Sequence, residues 1–266
     1  MMHVRRFTPQ LLRVLLVSAM AVVASGCSMA QTESFTFQAD MPENFSIGGI
    51  AYYKQTPWDM CQIPSGEEQR FRRKLSKSEQ PNTAHSVEFK VPLTDTVHGC
   101  SMVLKNVVLN IEGQWGKREL DMDMATAGLS IRDEPSETVQ PFSASDPIVF
   151  QGQCQWLFRT MGPYRYIVKI LQCRGLDANG VVQKSLAGGA LQRDQLAGKT
   201  VKLVLTMAKE EQPYFDRYWI KTSGGWKPCK GNWGRDIEEL CVTPPQFKPF
   251  KMPDGRDCTV YPNCTE

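Results

Sequence analysis

The nine cysteines of this chain are the residues with the widest choice of chemistry. Eight of them (Cys61, Cys100, Cys154, Cys173, Cys229, Cys241, Cys258 and Cys264) are spread through its length, and Cys27 stands apart near the start. Thiols can hold zinc, attack a substrate or pair with each other. Zinc sites take closely spaced Cys and His ligands. No CxxC occurs, and His85 and His98 are not spaced around cysteines. Eight thiols therefore read as four disulfides in an oxidising compartment, which leaves no cysteine nucleophile. Acyl transfer by serine would need a His and an acid beside it, and there is no GxSxG. Asp121 and Asp123 alternate with Leu120, Met122 and Met124, so they read as the wet face of a strand rather than a cation site. Asp177-Ala178-Asn179-Gly180 carries part of a calcium-loop pattern but lacks its closing Glu, and reads as a turn. Gly198-Lys199-Thr200 ends like a phosphate loop, yet Arg193 stands where the leading glycine belongs. No catalytic residue, metal or cofactor is expected. A glycosidase-type carboxylate pair is the enzymatic option that one sequence leaves open.

Cys27 has a chemistry of its own. Arg5 and Arg6 precede an apolar run over residues 11–23, which is too short to span a bilayer and has the length of a signal core. Ala24-Ser25-Gly26-Cys27 follows and resembles the bacterial lipobox, in which the cysteine becomes the lipidated first residue. Leucine is commonest three places before that cysteine, where this chain has Ala24. Ordinary cleavage after Ser28-Met29-Ala30 is the competing reading, and an uncleaved anchor a third. Lipidation accounts for the odd thiol. By resemblance to Gram-negative lipoprotein sorting, Ser28 in place of Asp points to the outer membrane, with the chain facing the periplasm.

The first 26 residues hold Arg5, Arg6 and Arg13 and no acid, so the remainder balances 28 basic against 28 acidic side chains. That balance argues against nucleic acid as a partner. The expected fold is mainly β: an antiparallel, disulfide-stapled β-sandwich-like domain or domains, with one or two short helices. The expected divisions are a signal peptide (1–26), lipid attachment and tether (27–44), an N-terminal β half (45–131), a linker or long loop with three prolines (132–147), a C-terminal β half (148–243), and a Pro-rich tail pinned by Cys258 and Cys264 (244–266).

Period-two patterns place the strands. Phe35 to Phe37 and residues 45–53 open them, with Gly48-Gly49 as a bend or bulge. Val87, Phe89 and Val91 share one face of a strand. Val103, Val107, Leu109 and Ile111 share a face of the next. Val201, Leu203, Leu205 and Met207 mark a later one, and residues 191–196 a helical turn before it. Ser65 with Glu68 forms a capping box that predicts a helix over 67–77, with Phe71 and Leu75 on its apolar side. Arg70, Arg72, Arg73 and Lys74 make that helix a candidate partner contact. Trp226 and Trp233, in the aromatic last third, are a second candidate.

Residues 155–160 and 166–172 read as strands around a turn at 161–165. Centring the turn between Pro163 and Tyr164 sets Trp156 against Leu171 and Cys154 against Cys173. A cross-strand disulfide follows, because a one-residue slip would put the two thiols on opposite faces.

Residues 152–160 (GQCQWLFRT), 191–200 (LQRDQLAGKT) and 251–259 (KMPDGRDCT) look similar to uncharacterised proteobacterial envelope lipoproteins encoded near type VI secretion genes. Several proteins of that kind are immunity proteins, which bind a periplasm-delivered toxin and block its active site. The resemblance implies a non-catalytic inhibitor and assigns no residue a role. The other classes are a structural or glycan-binding lipoprotein and, third, a hydrolase.

Overall fold

A computed structural model describes residues 33–56, 61, 71–134, 147–230, 241 and 244–265, all within the compact unit Thr32–Glu266. The expected signal peptide, Cys27, the capping box at Ser65, Arg70, Trp233 and residues 135–146 of the expected loop lie outside the described residues.

The strands are β1 (Ser34–Met41), β2 (Phe45–Gln55), β3 (Arg72–Lys74), β4 (His85–Pro92), β5 (Thr94–Val97), β6 (Cys100–Gln114), β7 (Met122–Arg132), β8 (Ile148–Met161), β9 (Tyr166–Leu176), β10 (Val182–Leu186), β11 (Gly188–Gln192), β12 (Thr200–Met207), β13 (Gln212–Pro213), β14 (Trp219–Thr222), β15 (Gly225–Pro228), β16 (Phe250–Lys251) and β17 (Asp257–Cys258). Two 3-10 turns, Arg193–Gln195 and Asp216–Tyr218, are the helical elements among the described residues, and the first falls where a helical turn is expected.

The first sheet runs β17-β16-β9-β8-β12-β1-β4, with β10 and β13 beside β9 and β8. The second runs β11-β7-β6-β2-β3, with β5 beside β6. Their facing side chains form one core. Phe35 and Phe37 of β1, Phe150 and Trp156 of β8, and Leu203 of β12 meet Ile47 of β2, Leu109 and Ile111 of β6, and Leu129 of β7. The alternation of these residues with polar ones produces the two layers, since each strand offers one apolar face. Burying each large side chain contributes about 1.5–3 kcal/mol.

The expected sandwich is therefore present, with mixed rather than purely antiparallel sheets. β1 pairs antiparallel with β4 and parallel with β12, and β12 pairs parallel with β8. The chain is not two successive halves. β1 and β4 sit in the sheet of β8, β9 and β12, while β11 joins β7 in the other. Residues 34–41, expected within the tether, are β1, paired between β12 and the edge strand β4 of the first sheet.

Two single residues stitch the layers. Ala187 donates its N–H to the Cys173 carbonyl of the first sheet (3.4 Å) and accepts from the Gly128 N–H of the second (3.0 Å). Leu93, between β4 and β5, donates to the Glu33 carbonyl and accepts from the Leu104 N–H (2.8 and 2.9 Å).

The expected helix over 67–77 is corrected in its described part. Residues 72–74 form β3, with Tyr52 opposite Arg72 and Ile50 opposite Lys74. Phe71 and Leu75 share a face in either conformation, because four residues is an even step along a strand and about one turn of a helix. The open edge of β2 decides between them. Tyr53 donates to the Phe71 carbonyl, and the Leu75 N–H to the Gly49 carbonyl. Gly48-Gly49 is straight strand, and a Cβ on Gly49 would stand 2.9 Å from Leu75 Cδ1. The bulge lies further on, where Tyr52 opposes Asn106 and Tyr53 opposes Leu104. It reverses the parity of β6, so Val103 does not share the face of Val107, Leu109 and Ile111; Met102 and Leu104 point inward instead.

Cys154 faces Cys173 and Trp156 faces Leu171, in the register set by the turn, and the two cysteines are bonded. The other bonds are Cys61–Cys100, Cys229–Cys241 and Cys258–Cys264. A second core, of Phe158, Ile167, Trp219, Phe250 and Tyr261, caps the far end of the β8–β9 hairpin. The tail is thus held by burial of Phe250, Val260 and Tyr261 as well as by its disulfide. Removing Cys154–Cys173 as the double alanine variant should lower the free energy of unfolding by about 3 kcal/mol through the unfolded chain's regained freedom, measured by urea titration under oxidising conditions.

Candidate functional site

The geometry of β7 departs most from its sequence pattern. Its inner face is Ala125, Ala127, Leu129 and Ile131, packed opposite Ile111, Leu109 and Val107 of β6. Period two then carries Asp123 inward and Met122 and Met124 outward, while the turn before the strand buries Asp121 and exposes Leu120. Asp121 is 4% exposed, whereas Leu120 is 86%, Met124 53% and Met122 39% exposed. The expected arrangement, apolar in and Asp out, is reversed.

Both carboxylates are satisfied by the protein. Asp121 accepts from Arg118 Nε (2.8 Å), Nη2 (2.6 Å) and backbone N–H (3.1 Å). Those hydrogen bonds, from the guanidinium first, hold its carboxyl below the ordinary value against the opposing effect of burial. Asp123 Oδ2 accepts the Leu171 N–H (2.8 Å). Leu171 lies in β9 between the residues that pair with β16 and with β10, so its N–H has no strand partner on that side. The apolar members of the pattern point the other way, because a backbone donor and an arginine set the side of the two carboxylates.

The outward face of β7 continues from Met122 and Met124 through Thr126, Gly128 and Ser130. Here it borders a groove of about 1290 Å³. Asn106 and Val108 of β6 lie on one side of the groove and Ala190 of β11 on the other. Its floor is made of small or uncharged side chains. Gly188 makes this possible: at φ +104, a Cβ there would stand 2.0 Å from the Gly128 carbonyl oxygen. The charges are at the end. Asp133 accepts from Lys54 Nζ and Arg193 Nε, both at 2.6 Å, and these contacts hold its carboxyl below the ordinary range. They tie β2 and the turn after β11 to the end of β7. Both carboxylate and lysine are solvent-exposed, so the tie positions more than it stabilises.

The expected partner residues that are described (Arg72, Arg73, Lys74 and Trp226) are not among those lining this groove. Arg72, Arg73 and Lys74 form the exposed edge strand β3, with Arg73 3.7 Å from Asp95. Trp226 lies in β15 and packs on Phe158 of the second core, with Lys221 over its ring. His85 begins β4, and His98 occupies the β5–β6 turn at φ +49. Asp177 Oδ1 caps its own turn, accepting from the Asn179 and Val181 N–H groups (both 2.9 Å). Among the described residues no group of three or more His, Cys, Asp or Glu is placed to hold a metal. Sequence reasoning missed the groove; the small outward residues of β7 (Thr126, Gly128, Ser130) were the available signal.

No family model, curated protein or solved structure matches the chain.

Gly188→Ala should cost about 3 kcal/mol, since neither the backbone conformation nor the Gly128 carbonyl can yield while β7 and β11 stay paired. Chemical denaturation of the purified variant measures it. Asp121 contributes stability in full above its ordinary pKa of 3.8, and this is lost as pH falls through its lower folded value. Asp121→Asn should therefore be less stable near neutrality and lose less than the wild type on acidification, as read by thermal unfolding across pH.

Proposed function

We propose that this chain is a non-catalytic envelope lipoprotein that binds and neutralises a protein partner through the outer face of its second sheet. The observation that carries the proposal is the pair Met122 and Met124, exposed on the same side of β7 that borders the groove, with the exposed Leu120 in the turn just before them. Exposed apolar side chains in a row are uncommon on a protein that works alone, and methionine adapts its shape to what it meets. Beyond these residues, Thr126, Ser130 and Asn106 offer hydrogen bonds without fixed charge. Such a face suits a protein surface with an apolar ridge. The ion-paired end around Asp133 would form a polar rim.

The anchor at Cys27, the outer membrane and the periplasmic orientation belong to the same proposal, as does the partner's class, a toxin delivered to the periplasm. They rest on the lipobox and on the resemblance to lipoproteins near type VI secretion genes. The disulfides fit an oxidising compartment, and they favour a rigid inhibitor, since a surface that is already ordered loses less freedom on binding.

The full chain, used as bait against the source cell's envelope and secreted proteins, should capture one secreted enzyme in equimolar amount and abolish its activity. A Thr126→Arg/Ser130→Arg variant should bind at least ~30-fold more weakly with unchanged thermal stability. Equal binding by that variant would remove the groove from the interface. Recovery of peptidoglycan fragments alone would transfer the chain to the glycan-binding class.

A further inference from the structure

The tip of the β8–β9 hairpin collects positive charge that no carboxylate among the described residues pairs with. A cavity of about 420 Å³ is lined there by Arg159, Thr160, Arg165 and Lys248, with Met161 and Pro163 at its walls. The three cations come from three segments: β8, the hairpin turn, and the stretch leading into β16. Arg165 is only 7% exposed, and its Nε and that of Arg159 are buried without a hydrogen-bond partner. None of the ion pairs between described residues involves Arg159, Arg165 or Lys248.

The backbone makes the case stronger. Arg165 stands at φ +57, a left-handed conformation that glycine adopts freely and a long side chain does not. Its N–H donates to the Gly162 carbonyl and its carbonyl accepts from the Lys251 N–H, both at 3.1 Å, so the turn is held on both sides. The chain thus keeps an arginine at a position where glycine would relieve strain, and then buries its side chain with no carboxylate of the described residues paired to it. Burial lowers its pKa, and no opposing interaction offsets that effect. Two local costs at one residue, with that residue lining a cavity beside two further cations, mark a group kept for something it binds.

We propose that this cavity is a binding site for a phosphate ester, with the oxyanion held between Arg159, Arg165 and Lys248. Guanidinium groups donate paired N–H bonds to the oxygens of phosphate, and a lysine at the mouth adds charge. The cavity is larger than a bare phosphate needs, so the esterified group has room between Met161 and Pro163. The site lies at the hairpin tip on the first sheet and is independent of the groove on the second.

The test is calorimetric titration of the full chain in detergent with three probes at constant ionic strength: inorganic phosphate, glycerol phosphate and glycerophosphoglycerol, the deacylated headgroup of phosphatidylglycerol. At least one should bind in equimolar ratio. Arg165→Gly should weaken that binding by about tenfold or more, while raising the melting temperature measured without ligand. Lys248→Gln alters an exposed residue, so its fold is not at risk, and it should weaken binding more modestly. Tighter binding of the monoester identifies a free phosphate ester as the ligand class. Tighter binding of the diester identifies a lipid headgroup. Absence of binding by all three probes, or an affinity unchanged in both variants, overturns the site.

Discussion

The structure depends on the two places where one residue serves both sheets. Ala187 gives its N–H to one layer and its carbonyl to the other, and Leu93 does the same on the opposite side of the molecule. Neither layer can slide on the other without breaking those bonds inside the protein, where their loss is costly. The inward parity of every neighbouring strand follows from this lock. β11 is set against β7 because Ala187 immediately precedes it, and β5 against β6 because Leu93 does. The groove follows as well, since one of its walls begins at Ala187.

Much of the strand pattern was legible because period two needs only a few strong apolar residues. The β8–β9 register was legible for a further reason: a short turn and two cysteines on one face admit a single alignment. Errors arose where something other than apolar burial set the side of the strand. On β7, the inward positions near Leu171 had to supply an acceptor for an edge N–H, so Asp123 went in and the methionines went out. On β6, one bulged residue reversed the alternation at a point no residue type announces. For residues 71–77, the spacing of Phe71 and Leu75 fits a helix and a strand equally, and the open edge of β2 lies some twenty residues away in sequence. Phe35 to Phe37 alternate legibly as a strand, but their place inside the sheet and not in a tether depends on β12, a parallel neighbour more than 150 residues distant. The site was the least legible part. A groove is defined by what is small along its floor, and small residues carry little signal individually.

The two outer faces of the sandwich are chemically different. The second sheet presents methionine, hydroxyl and amide groups around a shallow trough. The first carries, at one end, a pocket of buried positive charge set between the second core and a tight turn. Lys169, Glu211 and Tyr261 form a linked set beside the second core. Lys169 contacts Glu211 and lies over Trp115, while Tyr261 donates to the same carboxylate. Burial and the nearby Glu211 charge both push the Tyr261 hydroxyl up from its ordinary pKa, so it remains a donor at any physiological pH. A rigid polar link of this kind joins the main core to the C-terminal cap, and the cap in turn carries Lys248 to the hairpin tip.

The order of the disulfides has a consequence for how the chain acquires them. Eight thiols can pair in roughly a hundred ways, yet here every described cysteine is bonded to the next one along the sequence. A chain threaded through a pore, from whichever end, exposes its thiols two at a time in their native combinations. An oxidant waiting at the exit then makes correct bonds by acting on whatever pair has just emerged. Such a protein needs a thiol oxidase and makes little demand on an isomerase, which sets it apart from disulfide-rich proteins with interleaved bonds.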